Sequence, residues 1–353
     1  MKKNILVIDD SALMRRVICD IINSDDTFQV VDVCRDGLEA YEKLKVTKYD
    51  GVLLDVNMPR MDGLELLERL QKENIKATIV MVSTTTTKDA DTTIRAMELG
   101  AVDFVTKPMN IVEAKGERFK SRLLEVLSAV LRIEKVKSAP KTSVVPVNVV
   151  RTPLVAGGKA GKKIVALACS TGGPKALQSV IPFLPKNLDA PMVLVQHMPA
   201  GFTKSMADRL NEVSQIAVKE AEDGEILKKG VVYVAPGGKH MEVKKTTDGN
   251  HKISLNTMPA IGGLRPCANI TYDSLRACGY DQITCVVLTG MGADGTNGIL
   301  SLAKSKPVYV ISQSAETCVV YGMPKAIAET GIVNEVVPLT EVAKSITKNV
   351  GVQ

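Results

Sequence analysis

The sequence predicts an α/β protein of two doubly wound domains, each built on a parallel sheet. Three observations lead there. A chain of 353 residues exceeds the usual size of a single hydrophobic core. Two trains of short apolar runs alternate with helix-spaced segments, the pattern of strands covered by helices on both faces. Between the trains lies a stretch that keeps neither period. The expected division is a first domain at residues 1–134, a linker at 135–160 and a second domain at 161–353.

In the first train, Ile5–Ile8, Val30–Val33, Gly51–Leu54, Ile79–Val82 and Phe104–Val105 read as strands. Leu13, Met14, Val17, Ile18, Ile21 and Ile22 recur on one face of a helix between the first two. A last helix is expected over Glu113–Lys135. From Lys135 to Lys163 there are seven basic residues and no acidic one, with Pro, Gly, Ser and Val in no regular order. That stretch reads as an extended, flexible linker, the alternative being a strand added to a neighbouring sheet. In the second train the strands are Ile164–Cys169, Met192–Gln196, Val231–Ala235, Thr284–Thr289 and Val308–Ile311. Helices are expected at Pro174–Phe183, Thr203–Val213, Ala268–Cys278 and Gly295–Ala303. Residues near 241–256 alternate around Asp248-Gly249 as a hairpin. This half lacks the compact all-helical pattern of a helix-turn-helix output domain.

Composition removes several classes of function. Apolar residues make up 45% and charged residues 24%, as in ordinary soluble proteins. No apolar run approaches the ~20 residues of a membrane span, and Lys2 and Lys3 break any secretory pattern at once. The net charge of +6 would suit an acidic partner, but Trp is absent and only five Phe are present. Platforms for base stacking are therefore not expected, nor is nucleic acid as a partner. The seven cysteines (19, 34, 169, 267, 278, 285 and 318) are odd in number and form no C-x-x-C pair. Disulfides and zinc are disfavoured, and a cytoplasmic monomer without membrane insertion is expected.

Ligands of an open parallel sheet gather where its strands end. In the first train those ends carry Asp9-Asp10, Asp55, Ser83 and Lys107. Hard carboxylate oxygens suit Mg²⁺, which keeps several of its waters, and an ammonium beside them could neutralise a phosphoryl product. Taken alone, Asp10-Ser11 could simply cap the following helix. With all five residues in register, residues 4–108 resemble the receiver domain of response regulators. The resemblance implies Asp55 as phosphoacceptor, with Asp9, Asp10, Asp55 and the backbone carbonyl of Asn57 around Mg²⁺. It also implies Ser83 and Lys107 as contacts to the phosphoryl oxygens and Phe104 as the switch aromatic.

The second train offers three histidines. His251 sits beside Asp248-Gly249-Asn250 in what reads as a solvated turn, and His240 follows Pro236-Gly237-Gly238-Lys239 in a loop that could line a cleft. His197 ends the run Val193-Leu194-Val195-Gln196; a lone histidine there is more often structural than catalytic. Two other strand ends shift the balance. Ser170 enters Thr171-Gly172-Gly173-Pro174, a sharp strand-to-helix turn that exposes a hydroxyl and frees backbone N–H groups for an oxyanion. Asp294 lies in the glycine loop 290–295. Ser170, His197 and Asp294 would complete a hydrolytic triad. A rival reading is the dinucleotide fingerprint G-x-G-x-x-G at Gly290, Gly292 and Gly295. Asp294 would then set negative charge beside a pyrophosphate, and Glu316, at about the right distance for the ribose acid, falls in a following loop.

CSTGGPKAL, VQHMPAGFT, KEAEDGE, APGGKHME, VVLTGMGADG and CVVYGMPKA give the whole chain, linker aside, a resemblance to the chemotaxis response-regulator protein-glutamate methylesterases. The resemblance implies a flavodoxin-like receiver followed by a Rossmann-like α/β hydrolytic domain. It implies Ser170, His197 and Asp294 as the triad, the Met291 N–H at the oxyanion hole, and no cofactor for the ester chemistry. The implied partners are methylated chemoreceptors as substrate and the chemotaxis histidine kinase as phosphodonor. The receiver is expected to restrain the esterase until Asp55 is phosphorylated. Two departures from the family pattern stand out. Ala168-Cys169 precedes the serine where Gly-Ala is usual, and Arg265-Pro266-Cys267-Ala268-Asn269 stands where the family has R-P-S-x-D. Cys169, a rival nucleophile, should point away from Ser170, because side chains alternate along a strand.

Overall fold

The computed structural model describes residues 1–108, 110, 113, 116–132 and 161–353. The chain divides into two compact units at residues 137–138. The expected linker, residues 135–160, lies outside the described residues.

In the first unit β1 (Lys3–Ile8), β2 (Phe28–Cys34), β3 (Gly51–Asp55), β4 (Ile79–Ser83) and β5 (Asp103–Thr106) form a parallel sheet in the order β2-β1-β3-β4-β5. This is the flavodoxin-like order, with its switch point between β1 and β3. Every residue of β3 and β4 is buried, so both faces of the sheet's centre are covered. Helix α1 (Ala12–Asn23) starts at Ser11, whose hydroxyl accepts from Met14 N at 3.4 Å. It buries Val17, Ile18, Ile21 and Ile22, each worth about 1.5–3 kcal/mol. Leu13, expected on that face, is 48% exposed. α2 (Gly37–Val46), α3 (Gly63–Lys72) and α4 (Thr87–Glu98) start at Asp36, Asp62 and Thr86, each accepting a backbone N–H of its own first turn. The expected last helix is described as α5 (Glu117–Val130); Arg132, at φ 52°, takes the left-handed conformation that ends a helix.

The second unit holds a seven-stranded parallel sheet in the order β14-β13-β12-β6-β7-β9-β8. Its strands are β6 (Lys163–Cys169), β7 (Met192–Gln196), β8 (Ala217–Glu220), β9 (Val231–Val234), β12 (Gln282–Val287), β13 (Val308–Gln313) and β14 (Glu335–Val337). The hairpin expected around Asp248 is β10 (His240–Lys245) with β11 (His251–Asn256). β6 is buried along all seven residues. Buried Tyr272 donates its hydroxyl to Val286 O at 2.9 Å and sits 3.3 Å from Ala166 O, satisfying a polar group inside the core.

The helices of this unit are α6 (Gly173–Gln178), α7 (Phe202–Val213), α8 (Ala268–Ser274), α9 (Thr296–Ala303), α10 (Met323–Ala328) and α11 (Val342–Val350). Two expected helices are shorter than the sequence suggested. Pro174–Phe183 is α6 followed by a 3₁₀ turn at Ile181–Phe183, since Pro182 has no N–H to extend the helix. Ala268–Cys278 is α8 tightening into a 3₁₀ turn at Leu275–Ala277 ahead of Gly279. β8, β14, α10 and α11 were not expected. His251, expected in solvent, is buried and stacked on Tyr280 with ring centroids 4.0 Å apart, and its Nε2 accepts from Gly279 N. Among the described residues no helix is long and apolar enough to cross a membrane.

Candidate active site

In the first unit, the ends of β1, β3 and β5 bring Asp9, Asp55 and Lys107 together. Lys107 Nζ lies 2.7 Å from Asp9 Oδ2 and 2.7 Å from Asp55 Oδ2, with all three side chains largely buried. Burial pushes the Asp55 carboxyl up to about 6; Lys107 opposes that shift and Asp9 adds to it. Burial works against the Lys107 cation, but the two carboxylates outweigh it and hold its pKa above the ordinary value. One oxygen each from Asp9, Asp10 and Asp55 lies within 4.8 Å of the others. Three carboxylates less one ammonium leave a formal charge of minus two, and the oxygens are hard donors, so this set fits a divalent cation such as Mg²⁺.

Other expected residues of this site are engaged elsewhere. Ser83 follows the β4 residue paired with Asp55, and its carbonyl accepts from Lys107 N at 2.7 Å. Its hydroxyl accepts from Thr93 Oγ1 at 2.8 Å. The Asn57 side chain donates to Asp89 at 2.7 Å, which leaves its backbone carbonyl as the candidate ligand. Asp89 was not singled out in the sequence. Burial disfavours its charge, yet hydrogen bonds from Thr84 and Asn57 keep its pKa below the ordinary carboxylate value. Phe104 is 6% exposed and lies on β5 beside Met81 of β4.

In the second unit β12, β6 and β7 are adjacent, so their ends set Asp294, Ser170 and His197 side by side. Cys169 pairs with Gln196, and His197 N donates to Cys169 O at 3.2 Å. Cys169–Gln196 is the last pair of that register, so Ser170 and His197 follow directly on the ends of neighbouring strands. His197 Nε2 lies 2.8 Å from Asp294 Oδ2, with both side chains buried. Nδ1 is thus the nitrogen left to accept a proton. Ser170 Oγ makes no hydrogen bond among the described residues. The N–H groups of Thr171, Gly172 and Met291 likewise find no acceptor there, which suits them to an oxyanion. Gly290 abuts the serine so closely that a Cβ at 290 would lie 2.8 Å from Ser170 Cβ. Any larger residue there would displace Ser170.

Asp294 is held by a set of donors that the sequence reading missed. Ala268 N donates to Oδ2 at 2.6 Å, while Asn269 N (3.0 Å), Gly295 N (2.9 Å) and the Cys267 thiol (3.2 Å) donate to Oδ1. Burial would raise its pKa, but His197 and these donors hold it down at about 2. Its charge is fixed, and its orientation with it. Asn269, where the family has Asp, accepts from Gly295 N at 3.1 Å and Gly298 N at 2.7 Å and so caps α9. These two bonds to the loop of Asp294 call for an acceptor oxygen, which an amide supplies. Cys169 is fully buried, donates its thiol to Gln196 Oε1 at 3.0 Å, and burial drives its pKa far up, so it is no nucleophile. Gln196 is a further residue the sequence reading passed over: its Nε2 lies 3.0 Å from Ser170 O and 3.3 Å from His197 O. Gly173 faces that amide, and a Cβ there would come within 1.9 Å of Gln196 Oε1.

His240 is buried outside this cluster and bonds to Pro259 O. The dinucleotide reading of the glycine loop fares poorly, because the end of the strand is occupied by the carboxylate of Asp294 facing His197.

The family model described as CheB methylesterase matches residues 165–346, and that described as response regulator receiver domain matches residues 5–115. A protein-glutamate methylesterase/protein-glutamine glutaminase of Halalkalibacterium halodurans is 43% identical over 348 residues, 98% of this chain and 97% of the relative. A protein of the same description from Bacillus subtilis is 41% identical over 97% of each chain. The crystal structure of the Thermotoga maritima CheB methylesterase catalytic domain matches with a TM-score of 0.51 and 44% identity, covering 52% of this chain and 97% of that one.

Proposed function

Since the chain belongs to the CheB methylesterase family and carries a receiver domain ahead of the esterase domain, we propose that it hydrolyses γ-methyl esters of glutamate on chemoreceptors, with Ser170, His197 and Asp294 as its triad. Ser170 Oγ attacks the ester carbonyl while His197 takes its proton. Asp294, already ionised, steadies the imidazolium that forms. N–H groups at Met291 and after Ser170 receive the oxyanion. Methanol leaves with the proton from His197, and a water molecule, deprotonated by the same imidazole, releases the glutamate. Attack on a glutamine amide follows the same course with ammonia leaving, which gives the glutaminase activity.

The observation that carries this reading is the His197–Asp294 pair at 2.8 Å, set on the strand beside Ser170. Methanol release from methylated receptor membranes tests it. Ser170→Ala is expected to lower the rate by about 10⁴-fold or more. A variant retaining a third of the wild-type rate would end the assignment.

In the receiver, Asp55 is proposed as phosphoacceptor and the chemotaxis histidine kinase as donor. Asp9, Asp10 and Asp55, with the Asn57 carbonyl, would hold Mg²⁺, which when bound offsets their negative charge and that of the incoming phosphoryl group. Lys107 and the Ser83 hydroxyl then bond to the phosphoryl group. Phosphorylation is proposed to raise the esterase rate, as a population shift between less and more active states. A location in the cytoplasm accords with the intracellular donor and substrate regions this reading calls for.

A further inference from the structure

The three N–H groups suited to an oxyanion share an arrangement on their far sides. Each belongs to a planar trans peptide, in which N–H and C=O point in opposite directions. Whatever holds the carbonyl therefore aims the N–H. The Thr171 N–H shares its peptide with Ser170 O, which accepts from Gly173 N at 2.7 Å and Gln196 Nε2 at 3.0 Å. The Gly172 N–H shares its peptide with Thr171 O, which accepts from Thr289 Oγ1 at 3.0 Å. The Met291 N–H shares its peptide with Gly290 O, which accepts from Gly322 N at 3.1 Å and Met323 N at 2.8 Å. All three carbonyls are tied back into the protein, while their N–H groups meet no acceptor among the described residues.

Two of these anchors are side chains, and each is fixed in its turn. Gln196 is 2% exposed, and the Cys169 thiol donates to its Oε1 at 3.0 Å, which sets the amide's orientation. Thr289 is 1% exposed, and Val320 N donates to its Oγ1 at 3.0 Å. The hydroxyl hydrogen then has Thr171 O in reach at 3.0 Å and Val320 O at 3.3 Å, and the shorter contact is the stronger. Gln196 stands on β7 and Thr289 just follows β12, the strands on either side of β6. The turn after Ser170 is thus gripped from both flanks.

We propose that Gln196 and Thr289 are positioning residues for the oxyanion: neither touches the substrate, but each orients a donor before the substrate arrives. A carbonyl that accepts a hydrogen bond also polarises its peptide, which strengthens the N–H as a donor. The assignment rests on the esterase reading above. It is tested in the full chain on methylated receptor membranes with Thr289→Val and Gln196→Met, which keep side-chain size and remove the donor. Each should lower kcat by about tenfold, short of the ~10²–10³-fold that follows outright loss of an oxyanion donor, with KM within about threefold. Thr289→Ser, which returns the hydroxyl, should recover most of the rate. The pH of half-maximal rate should not move in Thr289→Val, because the His197–Asp294 pair is untouched. Each residue is judged by its own variant; if Gln196→Met does not fold, Thr289→Val, where only a hydroxyl becomes a methyl, decides alone. A kcat within about twofold of wild type, a loss confined to KM, a shifted pH midpoint, or a Thr289→Ser as poor as Thr289→Val would each overturn the assignment. A wild type that releases no methanol would instead overturn the esterase reading.

Discussion

The two strand-end sites of this chain each centre on a buried carboxylate, and their surroundings drive it in opposite directions. Asp55 is pushed up to about 6, because burial and Asp9 outweigh the Lys107 ammonium. Asp294, comparably buried, is held down at about 2 by His197 and a ring of backbone N–H groups. At Asp294 the histidine does most of the lowering and the neutral backbone dipoles add to it, whereas at Asp55 the one nearby cation is shared with a second carboxylate. The first arrangement is left short of positive charge, which suits a group that takes up a cation and a phosphoryl group. The second is complete, which suits a group whose task is to hold a histidine still.

The largest test of this contrast is Asp294→Asn. The amide would keep the shape but bring an N–H₂ where Cys267, Ala268, Asn269 and Gly295 already donate, and it cannot stabilise an imidazolium. Methanol release should fall by ~10³–10⁴-fold; a fall below tenfold would mean that Asp294 is not needed to hold the base. At the other site, a small phosphodonor with Mg²⁺ should accelerate the wild type by about tenfold or more, each ~1.4 kcal/mol of differential stability giving a factor of ten. Asp55→Asn should show no acceleration. If it responded as the wild type does, another residue would be the acceptor.

Acid stability separates the two carboxylates as well. The folded pKa of Asp294 lies below its unfolded value, so its stabilisation is present above pH ~4 and is lost as the pH falls toward ~2. That difference corresponds to about 2 kcal/mol. Urea midpoints of the wild type should therefore drop faster over that range than those of Asp294→Asn, and parallel curves would show that the N–H groups do not hold the charge as described. Asp55 has the opposite sign: its raised pKa works against the folded state as the pH rises from ~4 to ~6. The smallest effect is expected at Asn269. Asn269→Asp keeps an acceptor for Gly295 N and Gly298 N, so the esterase rate should stay within about threefold, while Asn269→Ala should cost about 1 kcal/mol of stability. A tenfold change in rate for Asn269→Asp would show that charge at this position matters to catalysis.

Side-chain chemistry at strand ends was legible in the sequence, because an apolar run announces a buried strand and the next polar residue announces its end. Asp9, Asp55, Ser170 and His197 all fall there. The donors on Asp294 were not legible: two of them are N–H groups of Ala268 and Asn269, which any residue but proline possesses, and they reach Asp294 across about 25 residues of chain. His251 was misread because its neighbours Asp248, Gly249 and Asn250 are polar, while the ring it stacks on belongs to distant Tyr280. β8 and β14 escaped notice as short edge strands: Ala-Val-Lys-Glu and Glu-Val-Val are too brief to establish a period. The strand order of the second sheet, which sets β12 and β7 on either side of β6, has no local signal at all.

The Gln196 amide, bonded to the carbonyls of both Ser170 and His197, is also a built-in gauge. Its two Nε2 protons are sealed between β6 and β7 and can exchange with deuterated solvent only when the ends of those strands part. Their exchange rate, read by nitrogen–proton correlation spectra, would report the free energy of opening of the catalytic edge alone. In a chain without tryptophan, that side chain offers a local signal which optical unfolding curves lack.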